Sequence, residues 1–256
     1  MSGTPLIDHD RLLDVLEHEG TRLASAAAGA DHDRPVPGCP GLTLGETARH
    51  VGSVYRTVVA WIRSGDRPTS WQRQPDDGQS VEDYVRDGLR SLLGELATHD
   101  PAEGCATWHP QQQHYGFWRR RMAHESTVHR IDVQAAGGQD ITEVDPEVAV
   151  DGVDEVLHLW FTHRLAVLGV AGTRSGTVAV RTADRVWLAT LGPRSTSARR
   201  VTAAEAESAD AVVTADPTEL YLWLWGRRAV FDRAVTLDGD LDVSAQLWAL
   251  LRLATR

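Results

Sequence analysis

Residues 119–138 read RRRMAHESTVHRIDVQAAGG, and the spacing of the histidines in this run decides how the chain is read. His124, Glu125 and His129 fall within six positions, with Arg130 and Asp132 behind them. A zinc-protease helix carries H-E-x-x-H, two histidines four apart on one face. Here they are five apart, which at about 100° per residue turns them roughly 140° away from each other. Glu125 and His129 are four apart, only about 40° out of phase, so their side chains converge. The motif is E-x-x-x-H. It is not a protease signature, and two ligands need others from elsewhere in the chain.

Outward from this run the sequence reads helical. Phe117 to about Ala136 form one helix, stopped by Gly137 and Gly138. Upstream, DRLLDVLEHEGTRLASAAAG (10–29) places apolar residues three and four apart, and Gly29 supplies a stop. In TLGETARHVGSVYRTVVAWIRSG (43–65), Thr43 and Glu46 form a capping box and Gly65 closes the helix. SVEDYVRDGLRSLLGELATHD (80–100) opens on Ser80 as another capped helix. Four amphipathic helices predict an antiparallel four-helix bundle. A further helix starts at Asp145-Pro146. Beyond Gly169 the texture alternates: GTVAVRTADRVWLATLG (176–192) reads as two strands around Ala183-Asp184. Strand, helix, strand and a final helix follow. The expected architecture is mostly α, with a helical bundle over 1–170 and a small α+β domain over 171–256.

Composition narrows the partners. The 256 residues are 42% hydrophobic and 24% charged, which describes a soluble globular chain with a substantial core. A net charge of −10 argues against nucleic acid or an anionic membrane surface. Two cysteines suit a reducing compartment, and neither a signal peptide nor a membrane-length apolar run is evident. The expected location is the cytoplasm, and the expected partners are small molecules.

A third ligand suggests itself on the helix from Thr43. His50 falls on its inward face, three after Thr47 and four before Val54. On the other helix one stripe runs Trp118, Met122, Glu125, His129, Asp132 and Ala136. Burying Glu125 charged with nothing opposite would be prohibitive. A cation resolves this, and two histidines with one carboxylate and an open position form a recognised catalytic zinc arrangement. The competing arrangement is a buried polar network in which Glu125 bonds to Arg49 or Arg56. His109, His114, His158 and His163 read as surface or structural, Cys39 as packing, and Cys105 has no activating neighbour.

PGCPGLTLGETARHVGSVYR (37–56) and FWRRRMAHESTVHRIDVQAAGG (117–138) resemble the two signatures of the mycothiol-dependent maleylpyruvate isomerase family, within the DinB-like metal-binding bundles. YLWLWGRRAVFD (221–232) followed by LDGDLDV (237–243) resembles that family's sterol-carrier-like C-terminal domain. The resemblance implies a metal triad of His50, Glu125 and His129. It also implies a divalent metal, usually zinc, that binds the thiol of mycothiol. A cation lowers a thiol's pKa and holds it as thiolate. In the isomerase the thiolate adds to a conjugated double bond, a single bond rotates, and elimination gives the trans isomer. Other relatives transfer the thiol onto an electrophile. Arg227 and Arg228 match the family's carboxylate-holding arginine, suited to bidentate contact across a cleft between the domains. Two alternatives stay open: a non-catalytic metal or thiol sensor, and a thiol-independent metal hydrolase.

Overall fold

The computed structural model describes residues 4–70 and 72–255. Four long helices, α1 (His9–Ala27), α2 (Leu44–Ser64), α3 (Val81–Ala97) and α4 (Tyr115–Gly137), open the chain. Their ends follow from local chemistry. Thr43 and Glu46 form the reciprocal capping box of α2, and Gly65 takes φ 77° to accept the left-handed turn that closes it. Ser80 caps α3 by accepting from the Asp83 amide, and Asp8 caps α1 through Arg11. At the start of α4 the cap is His114, whose ring nitrogen accepts from the Phe117 amide. Gly138 ends the helix at φ 69°.

The bundle closes around Leu12, Leu16 and Leu23 of α1, Val51 and Tyr55 of α2, Leu92 and Leu96 of α3, and Trp118 and Met122 of α4. The fourth helix departs from the amphipathic expectation, being buried on nearly every face, its arginines included. Buried charges of this kind persist only when paired. Arg119 donates to Asp10 and to the Leu96 and His99 carbonyls, and Arg130 donates to Glu19 at 2.6 Å.

The remaining elements are α5 (Pro146–Glu155), a π-helical segment (Val156–Arg164), α6 (Leu165–Leu168), β1 (Gly176–Thr182), β2 (Arg185–Leu191), β3 (Thr196–Val201), β4 (Ala211–Thr214), α7 (Pro217–Leu224), β5 (Thr236–Gly239) and α8 (Leu241–Ala254). The strands form one sheet in the order β3-β2-β1-β4-β5. All neighbours are antiparallel except β1 with β4, which are parallel. Ala183 turns the β1–β2 hairpin at φ 46°.

The chain divides into two compact units, Asp8–Thr142 and Met1–Ile7 with Glu143–Arg256. The division falls before α5, not near residue 170 as the sequence reading expected. The reason is the company α5 and the π segment keep: α5 packs on α7, and the π segment on β3. Asp154 is fully buried and accepts from Trp187 Nε1 at 2.8 Å and from Arg200 at 2.6 and 2.7 Å. Thr196 Oγ1 donates to the Phe161 carbonyl at 2.6 Å, and the Ala198 amide donates to Thr162 Oγ1 at 2.9 Å. The same unit captures the start of the chain, because the Leu6 amide donates to Asp151 at 2.6 Å and Arg200 donates to the Thr4 carbonyl. No helix among the described residues is long and apolar enough to cross a membrane.

Candidate metal centre

α2 and α4 bring His50, Glu125 and His129 together, the three residues that helical phase selects. Glu125 Oε1 lies 3.3 Å from His50 Nε2 and 3.4 Å from His129 Nε2. The two imidazole rings meet edge-on, with centroids 5.3 Å apart. One donor atom from each residue lies within 4.8 Å of the other two. The side chains are 23%, 15% and 14% exposed in that order, so the cluster is largely enclosed.

These separations test whether a cation fits. A charge-assisted N–H···O contact usually closes to about 2.7–2.9 Å, and both contacts here are longer. A tetrahedral shell with bonds of about 2.0–2.2 Å has edges of about 3.3–3.6 Å. The two oxygen-to-nitrogen separations, 3.3 and 3.4 Å, match two edges of such a shell, and the three donor atoms all lie within 4.8 Å of one another.

What surrounds the ligands is equally ordered. His129 Nδ1 donates to Asp132 Oδ2 at 3.0 Å, and the Cys39 thiol donates to the same oxygen at 3.5 Å. Asp132 is 1% exposed. Arg121 donates to Glu125 Oε2 at 3.2 Å from one turn earlier on α4, and it is 3% exposed. Burial opposes ionisation of Glu125, but His129, His50 and Arg121 together hold its carboxyl well below the usual range. Burial likewise opposes a charged His129, yet Glu125 and Asp132 on its two nitrogens raise it to about 9.

The other candidates fall elsewhere. His124 is fully buried and belongs to neither cluster of candidate donors. Arg56, the expected partner of Glu125 in the polar-network alternative, instead donates to the Gly52 and Tyr84 carbonyls and stacks on Tyr84. The arginine on Glu125 is Arg121. His109 is buried in the loop before α4, and His158 bonds Asp154 in the α+β unit. Burial pushes the Cys105 thiol up to about 11, helped by Glu103 and Glu95, which suits no nucleophile. Arg227 and Arg228 follow α7 in the α+β unit. Arg228 donates to both oxygens of Glu219 at 2.6 and 2.9 Å, and Arg227 donates to the Trp225 carbonyl at 2.6 Å. Cys39, read from sequence as packing, has the more specific place beside Asp132. The roles of Arg121 and Asp132 were missed, although R-x-x-x-E-x-x-x-H-x-x-D on one helical stripe carried the signal.

Two imidazoles and a carboxylate in a helical bundle, joined in one chain to a mixed α+β unit, define a class of two-domain bundle proteins with a donor set that could hold a cation. Residues 13–134 match the mycothiol maleylpyruvate isomerase N-terminal domain, and residues 147–246 match the MDMPI C-terminal domain. The chain belongs to the mycothiol maleylpyruvate isomerase family. No curated protein matches the sequence. Among solved structures, the crystal structure of the mycothiol-dependent maleylpyruvate isomerase is similar with a TM-score of 0.61 at 13% identity, over 91% of this chain and 95% of that one. A mutant of that isomerase with one histidine changed to alanine gives 0.59 at 12% identity over the same shares. At these identities the likeness establishes the fold.

Proposed function

We propose that this chain is a mycothiol-dependent metalloenzyme acting on a small electrophile, by maleylpyruvate-type cis–trans isomerisation or by transfer of the thiol. The observation that supports this reading is the convergence of donor atoms from His50, Glu125 and His129 within 4.8 Å of one another, with Glu125 Oε1 at 3.3 and 3.4 Å from the two Nε2 atoms. A divalent cation there, zinc being the natural choice for N and O donors, would lower the pKa of a bound thiol and supply a thiolate at neutral pH.

The chain's own groups then have assignable tasks. Asp132 keeps the His129 proton on Nδ1, which leaves Nε2 as a lone-pair donor. The partial exposure of all three ligands admits a small thiol. The charged groups that touch the ligands, Arg121, Glu125 and Asp132, sum with a divalent cation to one positive charge. A single thiolate neutralises it, which favours an anion over water in the open position. Arg227 and Arg228 are proposed, from the family resemblance, to hold a substrate carboxylate. Replacing either with Met at constant metal content should lower turnover by roughly one to two decades for at least one, the worth of a charge-assisted hydrogen bond. The Arg228 variant also loses its Glu219 pair, so its melting temperature is to be measured alongside.

The deciding experiment is mycothiol added to cobalt-substituted protein. A sulfur-to-cobalt charge-transfer band is expected, followed by turnover of maleylpyruvate or of a model electrophile. Fully metallated protein that binds no mycothiol would favour the hydrolase. Binding without turnover of any electrophile would favour the sensor.

A further inference from the structure

We infer that Arg121 is a positioning residue that restricts Glu125 to one-oxygen ligation and so keeps a coordination position open for the thiol. The inference rests on the reading of His50, Glu125 and His129 as a cation site.

Glu125 has two oxygens with different neighbours. Oε1 faces both imidazoles at 3.3 and 3.4 Å, while Oε2 accepts from Arg121 at 3.2 Å. Carboxylates readily ligate through both oxygens, and nothing in a two-histidine, one-carboxylate set prevents it. A second oxygen on a four-coordinate ion would fill the place that a thiol needs. To swing Oε2 inward, the Arg121 bond must break. Breaking it would cost a charge-assisted hydrogen bond at a place where water cannot readily substitute, since the Arg121 side chain is only 3% exposed. That loss opposes the gain from one weak second oxygen contact. The arrangement is local to α4: Arg121 stands four residues before Glu125, and Asp132 three after His129, so each ligand's outer atom is held from its own helix. Arg121 is too enclosed to reach a substrate itself, which separates its role from that of a carboxylate-binding arginine.

The test uses full-length cobalt-substituted protein, with mycothiol as the probe. The parent should show the intense visible bands of four-coordinate cobalt and a thiolate charge-transfer band on titration. Arg121→Met should keep its metal, show the weaker bands of five-coordinate cobalt, and bind mycothiol about ten- to hundredfold more weakly, the usual range for groups that orient a ligand. Arg121→Lys retains a cation that can bond Oε2 and should recover most of both signals, which loss of packing alone would not predict. Parent-like spectra and mycothiol affinity in Arg121→Met would overturn the inference. Should that variant not fold, zinc-edge X-ray absorption of the parent decides. Four near neighbours support the inference, and a fifth at carboxylate distance overturns it. Failure of the parent to bind metal or mycothiol at all would instead refute the proposed function.

Discussion

Replacing Asp132 with Asn isolates the contribution of a single charge to the site. Asn is nearly isosteric, and its carbonyl can still accept from His129 Nδ1, now at 3.0 Å from Asp132 Oδ2. What disappears is the charge on the acceptor. A hydrogen bond to a charged group contributes about 1.5–3 kcal/mol and a neutral one about 0.5–1.5, so the difference is about 1–1.5 kcal/mol. In the proposed site His129 can ligate through Nε2 only while its proton stays on Nδ1, so the loss should pass into the metal dissociation constant. Each 1.4 kcal/mol is about tenfold, so Asp132→Asn should weaken zinc binding by about five- to tenfold. Asp132→Ala, which removes the acceptor altogether and frees the ring, should do so by up to about a hundredfold. Competition against a chromogenic chelator measures both, with circular dichroism to confirm folding. If both variants hold zinc within threefold of the parent, Asp132 does not orient His129 and the geometric reading of the site is wrong.

Replacing His50, Glu125 or His129 with Ala should each remove most of the bound metal, whereas His124→Ala should lower stability and leave metal content unchanged, as read by elemental analysis and melting. The raised pKa of His129 has a definite sign. In the cation-free protein the imidazolium's contribution to stability is complete below about pH 6.5, the unfolded value, and is lost as pH rises through about 9. Metal must displace that proton, so affinity should climb about tenfold per pH unit through neutrality towards pH 9. Calorimetry in buffers of different ionisation enthalpy should find about one proton released at pH 7, and a buffer-independent heat would contradict this. Arg130→Met strands Glu19 inside the bundle and should destabilise it by about 3–5 kcal/mol in urea melts.

Much of the bundle was legible because its determinants are local. A capping box, a serine cap and closing glycines act within one turn, so Thr43, Ser80, Gly65 and Gly138 mark their helices directly. The E-x-x-x-H pair was legible for the same reason. His50 needed only the phase of its own helix, though its partner stands 75 residues away. The domain boundary was not legible. Asp154 and Thr196 commit α5 and the π segment to the sheet through contacts that span 33 to 46 residues, and no local signal encodes them. The π segment itself, VLHLWFTHR, carries the same apolar pattern as an α-helix, so periodicity cannot distinguish the two. Arg121 stands in a run of three arginines, 119–121, whose burial no local signal encodes. Burial of α4 on nearly all sides places all three in the interior, where Arg119 pairs with Asp10 and Arg121 with Glu125.

The capture of Thr4 and Leu6 by Arg200 and Asp151 sets a timetable for biosynthesis. The bundle lies between the two pieces of the unit that it interrupts, so it can form on the ribosome while residues 4–7 still have nothing to bind. Thr4 waits for a partner 196 positions later in the chain. At about 5–20 residues per second, the interval is on the order of 10–40 s. Throughout that interval residues 4–7 lack these tethers, and the final protein ties Thr4 down only once β3 has left the exit tunnel.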